Sequence, residues 1–390
     1  MTANEDTLPL HRLTFAAPGP PQHTTLPDGS PAWHFTRYDD VRQVLADDRF
    51  TRALLPTKAA SPLTDTPDAM AKQDGTGHLR LRHTAKGAFT PRAIGRVMPM
   101  VAETVDRFIA DLADHGPPAD LVDQYTRPLP IAVMNKLLGI HDLDDARLVR
   151  WTELAFPEPS VPEGETAEAA REFTEFATRL MAERRRTPGP DLITTLVQTA
   201  DREGGIPEPQ LVNFVTTLAV AGYDTTVTML GNALLYLLDE RSRDWTRLAS
   251  DEDEAAAGAL ADRLAHLIPL NDPAKRFNPL RATEDLEIGG AAIRAGDLVT
   301  LDRGAANRDP AAFPGDPFAD LFAPLEHPTL AFGGGQHYCL GVALARTELR
   351  LALHRLATRL PDLRLTVPVD SVEWHTSALT RSPRHLPATW

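Results

Sequence analysis

The chain has 390 residues, 42% hydrophobic and 24% charged, the balance of a packed protein rather than a disordered one. Its 54 acidic residues against 40 basic ones leave a formal charge of −14, which opposes the phosphate neutralisation on which non-specific nucleic-acid binding rests. A single cysteine excludes an internal disulfide framework and any site built on two thiolates of this chain. It leaves three roles for that residue: inert core filler, nucleophile, or sole thiolate ligand.

The first residues carry no basic stretch ahead of an apolar one, so no secretory signal is expected. No run reaches the ~18 apolar residues of a membrane span. The expectation is a cytoplasmic protein with no membrane or nucleic-acid partner. Residues 1–30 are proline-rich and irregular. Trp33–Thr36 read as a short strand, followed by an amphipathic helix through Val41, Val44 and Leu45. Residues 55–77 read as a long polar loop. Helical patterns occupy about 78–88, 93–115, 130–138, 143–155 and 166–186, and Asp191, after the breaker Thr187–Pro190, is placed to cap the next helix.

The longest helical pattern runs from about Glu208 to Glu240, and ~30 residues at ~1.5 Å each span a whole domain. Leu218, Ala219, Val220 and Ala221 make it apolar on most faces, which predicts a central buried helix, while Asn213, Asp224 and Asn232 argue against a membrane span. Asp285–Gly290 and Ala292–Leu301 read as short strands with Gly turns, and 309–329 as a proline-rich meander. Leu340–Thr358 reads as a last long helix with Val342, Ala345, Leu349, Ala352 and Leu356 as its buried stripe. The tail, 363–390, is β-like.

The lone cysteine, Cys339, ends the loop Phe332-Gly-Gly-Gly-Gln-His-Tyr-Cys339-Leu-Gly341, at the start of that last helix. A helix N-terminus favours a thiolate, so a lowered pKa is expected. Consecutive glycines let backbone N–H groups approach the sulfur, and Gly341 leaves room for a flat group. Phe332, Gly333, Gly335, His337, Cys339 and Gly341 together resemble the haem-binding loop of the cytochrome P450 family, as in its soluble bacterial members. The resemblance implies a mainly α fold with small β-sheets, formed as one domain over 1–390, with haem between the long central helix and the Cys-loop helix. It implies haem b as cofactor, Cys339 as the axial iron ligand, Phe332 beside the sulfur and His337 on a propionate.

The resemblance extends along nearly the whole chain. His78 and Arg82, four residues apart on one helical face, resemble the family's propionate ligands. Ala221-Gly222-Tyr223-Asp224-Thr225 resembles its oxygen-activation segment. There Gly222 makes room for dioxygen, Thr225 hydrogen-bonds to it and relays protons, and Asp224 links the relay to water. The chain also departs from the family. No Glu-x-x-Arg occurs in Ala261–Leu270, and the meander Phe318–Leu330 has no arginine, so the family's buried ion triad is missing as a set. Such a set can be replaced by apolar residues at little cost, and Leu264, Leu267 or Leu270 with Leu321 or Phe322 are expected to fill the space. Leu280 stands where the family places another propionate-binding arginine, with Arg281 or Arg276 as substitutes.

The implied activity is a haem-thiolate monooxygenase that inserts one oxygen atom from O2 into a small organic substrate, a secondary metabolite by resemblance. Electrons would come from a ferredoxin and a ferredoxin reductase, docking on Arg80, Arg82, Lys86, Arg92, Arg346 and Arg350. Val220, Tyr223, Phe277, Asn278, Ser377, Ala378 and Leu379 are candidate substrate contacts, with the loop at 55–75 and the segment 156–162 as movable lids. The alternative is a P450-like haem protein that recruits a substrate or carries out a rearrangement without hydroxylation.

Overall fold

The computed structural model describes residues 8–52, 63, 66, 69–141, 143–250, 254–270, 279–377 and 379–390, with no side-chain description for residue 255. Its helices are α1 (Tyr38–Ala46), α2 (Gly75–Lys86), α3 (Pro91–His115), α4 (Pro128–Leu138), α5 (Asp145–Glu153), α6 (Glu163–Arg186), α7 (Leu192–Glu203), α8 (Glu208–Asp239), α9 (Ser242–Ser250), α10 (Glu254–Leu267), α11 (Arg303–Ala306) and α12 (Val342–Arg359). The strands are β1 (Gln22–Thr25), β2 (Pro31–Phe35), β3 (Phe50–Thr51), β4 (Ala119–Asp120), β5 (Leu280–Ala282), β6 (Leu286–Ile288), β7 (Ala291–Ile293), β8 (Leu298–Leu301), β9 (Arg364–Leu365), β10 (Trp374–Thr376), β11 (Arg381–Pro383) and β12 (Pro387–Thr389).

Local chemistry sets the helix starts. The Thr90 side chain accepts from the Ala93 N–H at 3.2 Å, with Pro91 at the first helical position of α3. Asp191 caps α7 as its sequence predicts, accepting from the Thr194 N–H at 2.7 Å. Proline at 207 and 209 opens α8, which is apolar nearly all round and buried along most of its length. It packs against α4, α5, α6, α12 and β11, and so forms the axis of the large core. Asn232, the polar residue deepest in it, donates to the carbonyls of Thr228 and Arg381 at 2.8 and 2.9 Å and thereby fixes β11 to α8.

The strands form a five-stranded sheet in the order β1-β2-β8-β5-β3, with β2 and β8 parallel and the other pairs antiparallel. A second core lies between this sheet and α1, built on Phe35, Val41, Leu280 and Val299. Two hairpins, β6-β7 and β10-β11, and a sheet β4-β12-β9 complete the strands. The stretch Ala292–Leu301, read as short strands with Gly turns, divides into β7 and β8 at a glycine turn. Gly296 takes φ 96° there, and Asp285 accepts from the Ala295 N–H and pairs with Arg294. Among the described residues, no helix is long and apolar enough to cross a membrane.

Candidate functional site

Two stretches of otherwise buried helix keep accessible surface. On α8, Ala221 is exposed and Thr217, Leu218, Gly222 and Thr225 are half-buried, although the residues around them are packed. The spacing i−4, i−3, i and i+4 puts Thr217, Leu218, Ala221 and Thr225 on one face. On the second stretch, residues 339–343 are all half-buried, although α12 packs against α3, α8, α9 and α10. Val342 and Ala345, expected in the buried stripe, are half-buried, whereas Leu349, Ala352 and Leu356 are buried as predicted.

The Cys339 loop is held by its backbone. The Cys339 N–H donates to the Phe332 carbonyl at 2.9 Å, and the Gly341 N–H donates to the sulfur. Gly335 is required by close approach: at φ 58°, a Cβ there would stand 2.0 Å from the Leu45 carbonyl oxygen. A Cβ at Gly341 would meet nothing within 4 Å, which is the space a flat group needs. The thiol is pushed up by burial, with the Gly341 N–H and the Arg82 and Arg346 charges only partly opposing it. The lowering expected from the helix N-terminus is therefore corrected: in the protein alone, desolvation outweighs it.

Beside the loop lies a cluster of cations and histidines. His78 is fully buried, neither of its ring nitrogens has a hydrogen-bond partner among the described residues, and its ring packs on that of His337 with centroids 4.2 Å apart. Burial, followed by the charges of His337 and Arg82, pushes it down to about 4. The Arg82 guanidinium donates to the Tyr338 carbonyl at 2.7 Å. His337 pairs through Nε2 with Asp74, at 2.7 Å, which sequence reasoning missed. Asp74 also accepts from the Thr51 hydroxyl and the Arg52 N–H. Burial opposes its ionisation, but these bonds outweigh it and hold the carboxyl well below the usual range. Its position four residues before His78 is the signal that was available.

Two more arginines were missed. Burial and the neighbouring Arg303 push Arg52 down to about 10. Crowding by protein lowers Arg303 too, with Asp302 opposing, although its side chain retains accessible surface. By contrast Leu280 is buried, and Arg281 turns outward to the Gly296 carbonyl at 3.1 Å. Arg276 lies outside the described residues.

Where the ion triad is missing, the apolar expectation needs correction. Leu264, Leu267, Leu321 and Phe322 are buried, while Leu270 is half-buried. Arg263 and His266 are buried with them. Arg263 donates to the carbonyls of Ala323 and Pro324, both at 3.1 Å, and the His266 carbonyl accepts from Asn307 at 3.0 Å. Backbone carbonyls thus take the place of a carboxylate partner at one Nη of the buried guanidinium, while its Nε has no hydrogen-bond partner among the described residues.

On α8, Asp224 is buried and accepts from the Thr380 hydroxyl at 2.9 Å. Burial, with the Glu153 charge adding to it and the Thr380 bond opposing, pushes it up to about 6. The Thr225 hydroxyl donates to the Ala221 carbonyl at 2.7 Å. Gly222 serves packing: a Cβ there would stand 2.5 Å from the Met134 sulfur. Val220 and Tyr223 are 2% exposed and lie off the Ala221 face, which is the geometric result of offsets of one and two residues on a helix. Ser377 is buried and Leu379 is half-buried. Phe277, Asn278 and Ala378, and most of the loop at 55–75, lie outside the described residues. Segment 156–162 is fastened to the β10-β11 hairpin. There Glu158 pairs with Arg384, lies 3.1 Å from His375 and accepts from the Thr376 N–H at 3.2 Å.

The arrangement suits a flat, dianionic, iron-bearing group: one half-buried cysteine, open space at Gly341, an exposed alanine on a core helix, and half-buried to exposed arginines and a buried histidine beside them. A sequence model of the Cytochrome P450 family matches residues 270–360. The chain is 37% identical to nocardicin C N-oxygenase of Nocardia uniformis subsp. tsuyamanensis, over 95% of this chain and 92% of that protein. It is 36% identical to mycinamicin IV hydroxylase/epoxidase of Micromonospora griseorubida, over 93% and 91%. The crystal structure of the LnmA cytochrome P450 hydroxylase from the leinamycin pathway of Streptomyces atroolivaceus superposes with a TM-score of 0.86 at 36% identity, covering 95% of this chain and 93% of that one. Identity at this level over nearly the full length, with the cysteine loop and the acid–threonine segment both in place, shows that the chain belongs to the cytochrome P450 family, as one of its monooxygenases.

Proposed function

We propose that the protein is a haem b monooxygenase of bacterial secondary metabolism that inserts one oxygen atom from O2 into a small organic substrate. The observation that carries this reading is the presence, in one core, of the accessible Cys339 at the head of α12 and the accessible Ala221–Thr225 face of α8. Cys339 would ligate the iron, with Phe332, Gly333, Gly335 and Gly341 forming the loop around it and Ala221 and Gly222 on the opposite helix. His78, Arg82 and His337 would hold the propionates, with Arg52 and Arg303 in place of the family's arginine at Leu280. Haem under thiolate donation supplies oxygen activation.

The chain's own residues supply the protons. Asp224, at about 6, exchanges a proton close to neutral pH, and the Thr225 hydroxyl must release the Ala221 carbonyl before it donates elsewhere. Electrons would come from a ferredoxin and its reductase. Arg80, Lys86 and Arg92 are exposed for docking, together with Leu79 and Met98, which are 53% and 40% exposed. Arg346 and Arg350 are engaged with Asp262 and Glu254.

The purified ferric protein tests the reading. Reduction under carbon monoxide gives a thiolate-type absorption band, which Cys339→Ser abolishes; its absence from haem-replete wild-type protein sinks the proposal. A spectral-shift screen then finds substrates, and turnover under labelled O2 separates the functions. Label in the product supports oxygenation, whereas tight binding without oxygenated product supports the non-hydroxylating alternative.

A further inference from the structure

The Asp224 carboxyl is held from outside its own helix. Thr380, in the turn joining β10 to β11, donates to its Oδ2 at 2.9 Å in a buried bond. Behind Thr380 stands Ser377, whose hydroxyl lies 3.1 Å from the Thr380 hydroxyl and accepts the N–H groups of Leu379 and Thr380 at 3.1 and 2.9 Å. The Ser377 N–H closes the turn on the Thr380 carbonyl at 2.9 Å. The hairpin cannot drift from the helix, because Asn232 grips the Arg381 carbonyl two turns further along α8.

The other groups around Asp224 do not stabilise its anion. Glu153 on α5 opposes ionisation, and Tyr223, its neighbour on α8, is buried with its own ionisation suppressed. His375 on β10 is turned to Glu158, at 3.1 Å, and burial pushes its pKa down. The carboxyl is therefore a buried acid whose anion depends on one hydroxyl donor.

We propose that Thr380 is the positioning residue for Asp224. Its hydroxyl, steadied by Ser377, orients the carboxyl and sets its proton affinity, so that the β10-β11 turn governs the readiness of the proton carrier on α8. This inference rests on the reading of Asp224 as proton carrier, and the two are separable by experiment.

The test is an infrared pH titration of the protonated carboxyl band in the haem-loaded ferric protein, the band being assigned by its loss in Asp224→Asn. Thr380→Val raises the proton affinity about tenfold, the effect of losing one hydrogen bond to a charged group. Thr380→Ser, which keeps the hydroxyl, restores the wild-type midpoint. Ser377→Ala raises it by a smaller factor and carries the test should Thr380→Val fail to fold. A midpoint unmoved in Thr380→Val, or in Ser377→Ala where that variant stands in, overturns the proposal. Product formed per NADPH consumed, followed against pH, reads the other layer. If Asp224→Asn leaves it unchanged, the proton-carrier role falls, while the infrared shift still decides whether Thr380 sets the carboxyl.

Discussion

Gly222 shows how one missing methyl group is allocated. In the interior of a helix, glycine to alanine ordinarily stabilises by roughly 0.5–1 kcal/mol. At 222 the added Cβ would press on Met134 at 2.5 Å. Met134 meets it with the far end of a flexible side chain that can shift, so Gly222→Ala is expected to cost at most about 1 kcal/mol in urea denaturation. In a Met134→Ala background the cost should vanish; if it persists, the glycine answers to something other than α4. The same contrast explains which site residues were legible. Cys339, His78, Arg82 and Thr225 carry their meaning in local spacing. Arg52 and Arg303 do not: β3 and the end of β8 bring them in from distant parts of the chain, and no periodicity marks them. Val220 and Tyr223, expected as substrate contacts, are buried away from the face that Ala221 keeps accessible.

Among the elements, the helices were readable because their apolar stripes and caps are local, as at Thr90 and Asp191. The glycine turn between β7 and β8 was readable too, whereas its fastening by Asp285, across a tertiary contact, was not. The connection from α5 to α6 reads from sequence as a free proline-rich lid, yet Glu158 fastens it to the hairpin. Burial resists ionisation of Glu158, but its bonds to Arg384 and to Thr376 hold it below the ordinary glutamate range. A depressed pKa means that the fastening is complete above the unfolded value and is lost only as acid passes through the folded one. Glu158→Gln is expected to raise amide hydrogen exchange across 154–162 about tenfold at neutral pH, with α6 unaffected. Equal exchange in both proteins counts against the fastening.

At the scale of the molecule, two buried acids shape the pH dependence of stability. Glu348 on α12 is 1% exposed and burial pushes it up to about 8; Asp224 stands at about 6. Both are raised, so between the ordinary carboxylate range near ~4 and these values the folded protein binds more protons than the unfolded one, and stability falls as pH rises through that window. The urea midpoint is expected to be higher at pH 6 than at pH 9, and Glu348→Gln should flatten the upper part of that decline. A slope unchanged by the substitution would place the titration elsewhere.

The pairing of the strands also has a consequence in time. β2 lies parallel to β8, joining Ala32–Phe35 to Leu298–Leu301, and β4 at Ala119–Asp120 waits for β12 at Pro387–Ala388. Neither early strand can find these partners until some 265 residues of intervening chain have been made, so a nascent polypeptide carries β4, and the edge of β2 turned away from β1, unpaired through most of its synthesis. The helices around α8 can condense first, whereas the sheets are sealed last. Slow translation or an interrupted chain would leave exactly those unsealed edges available to chaperones and to one another.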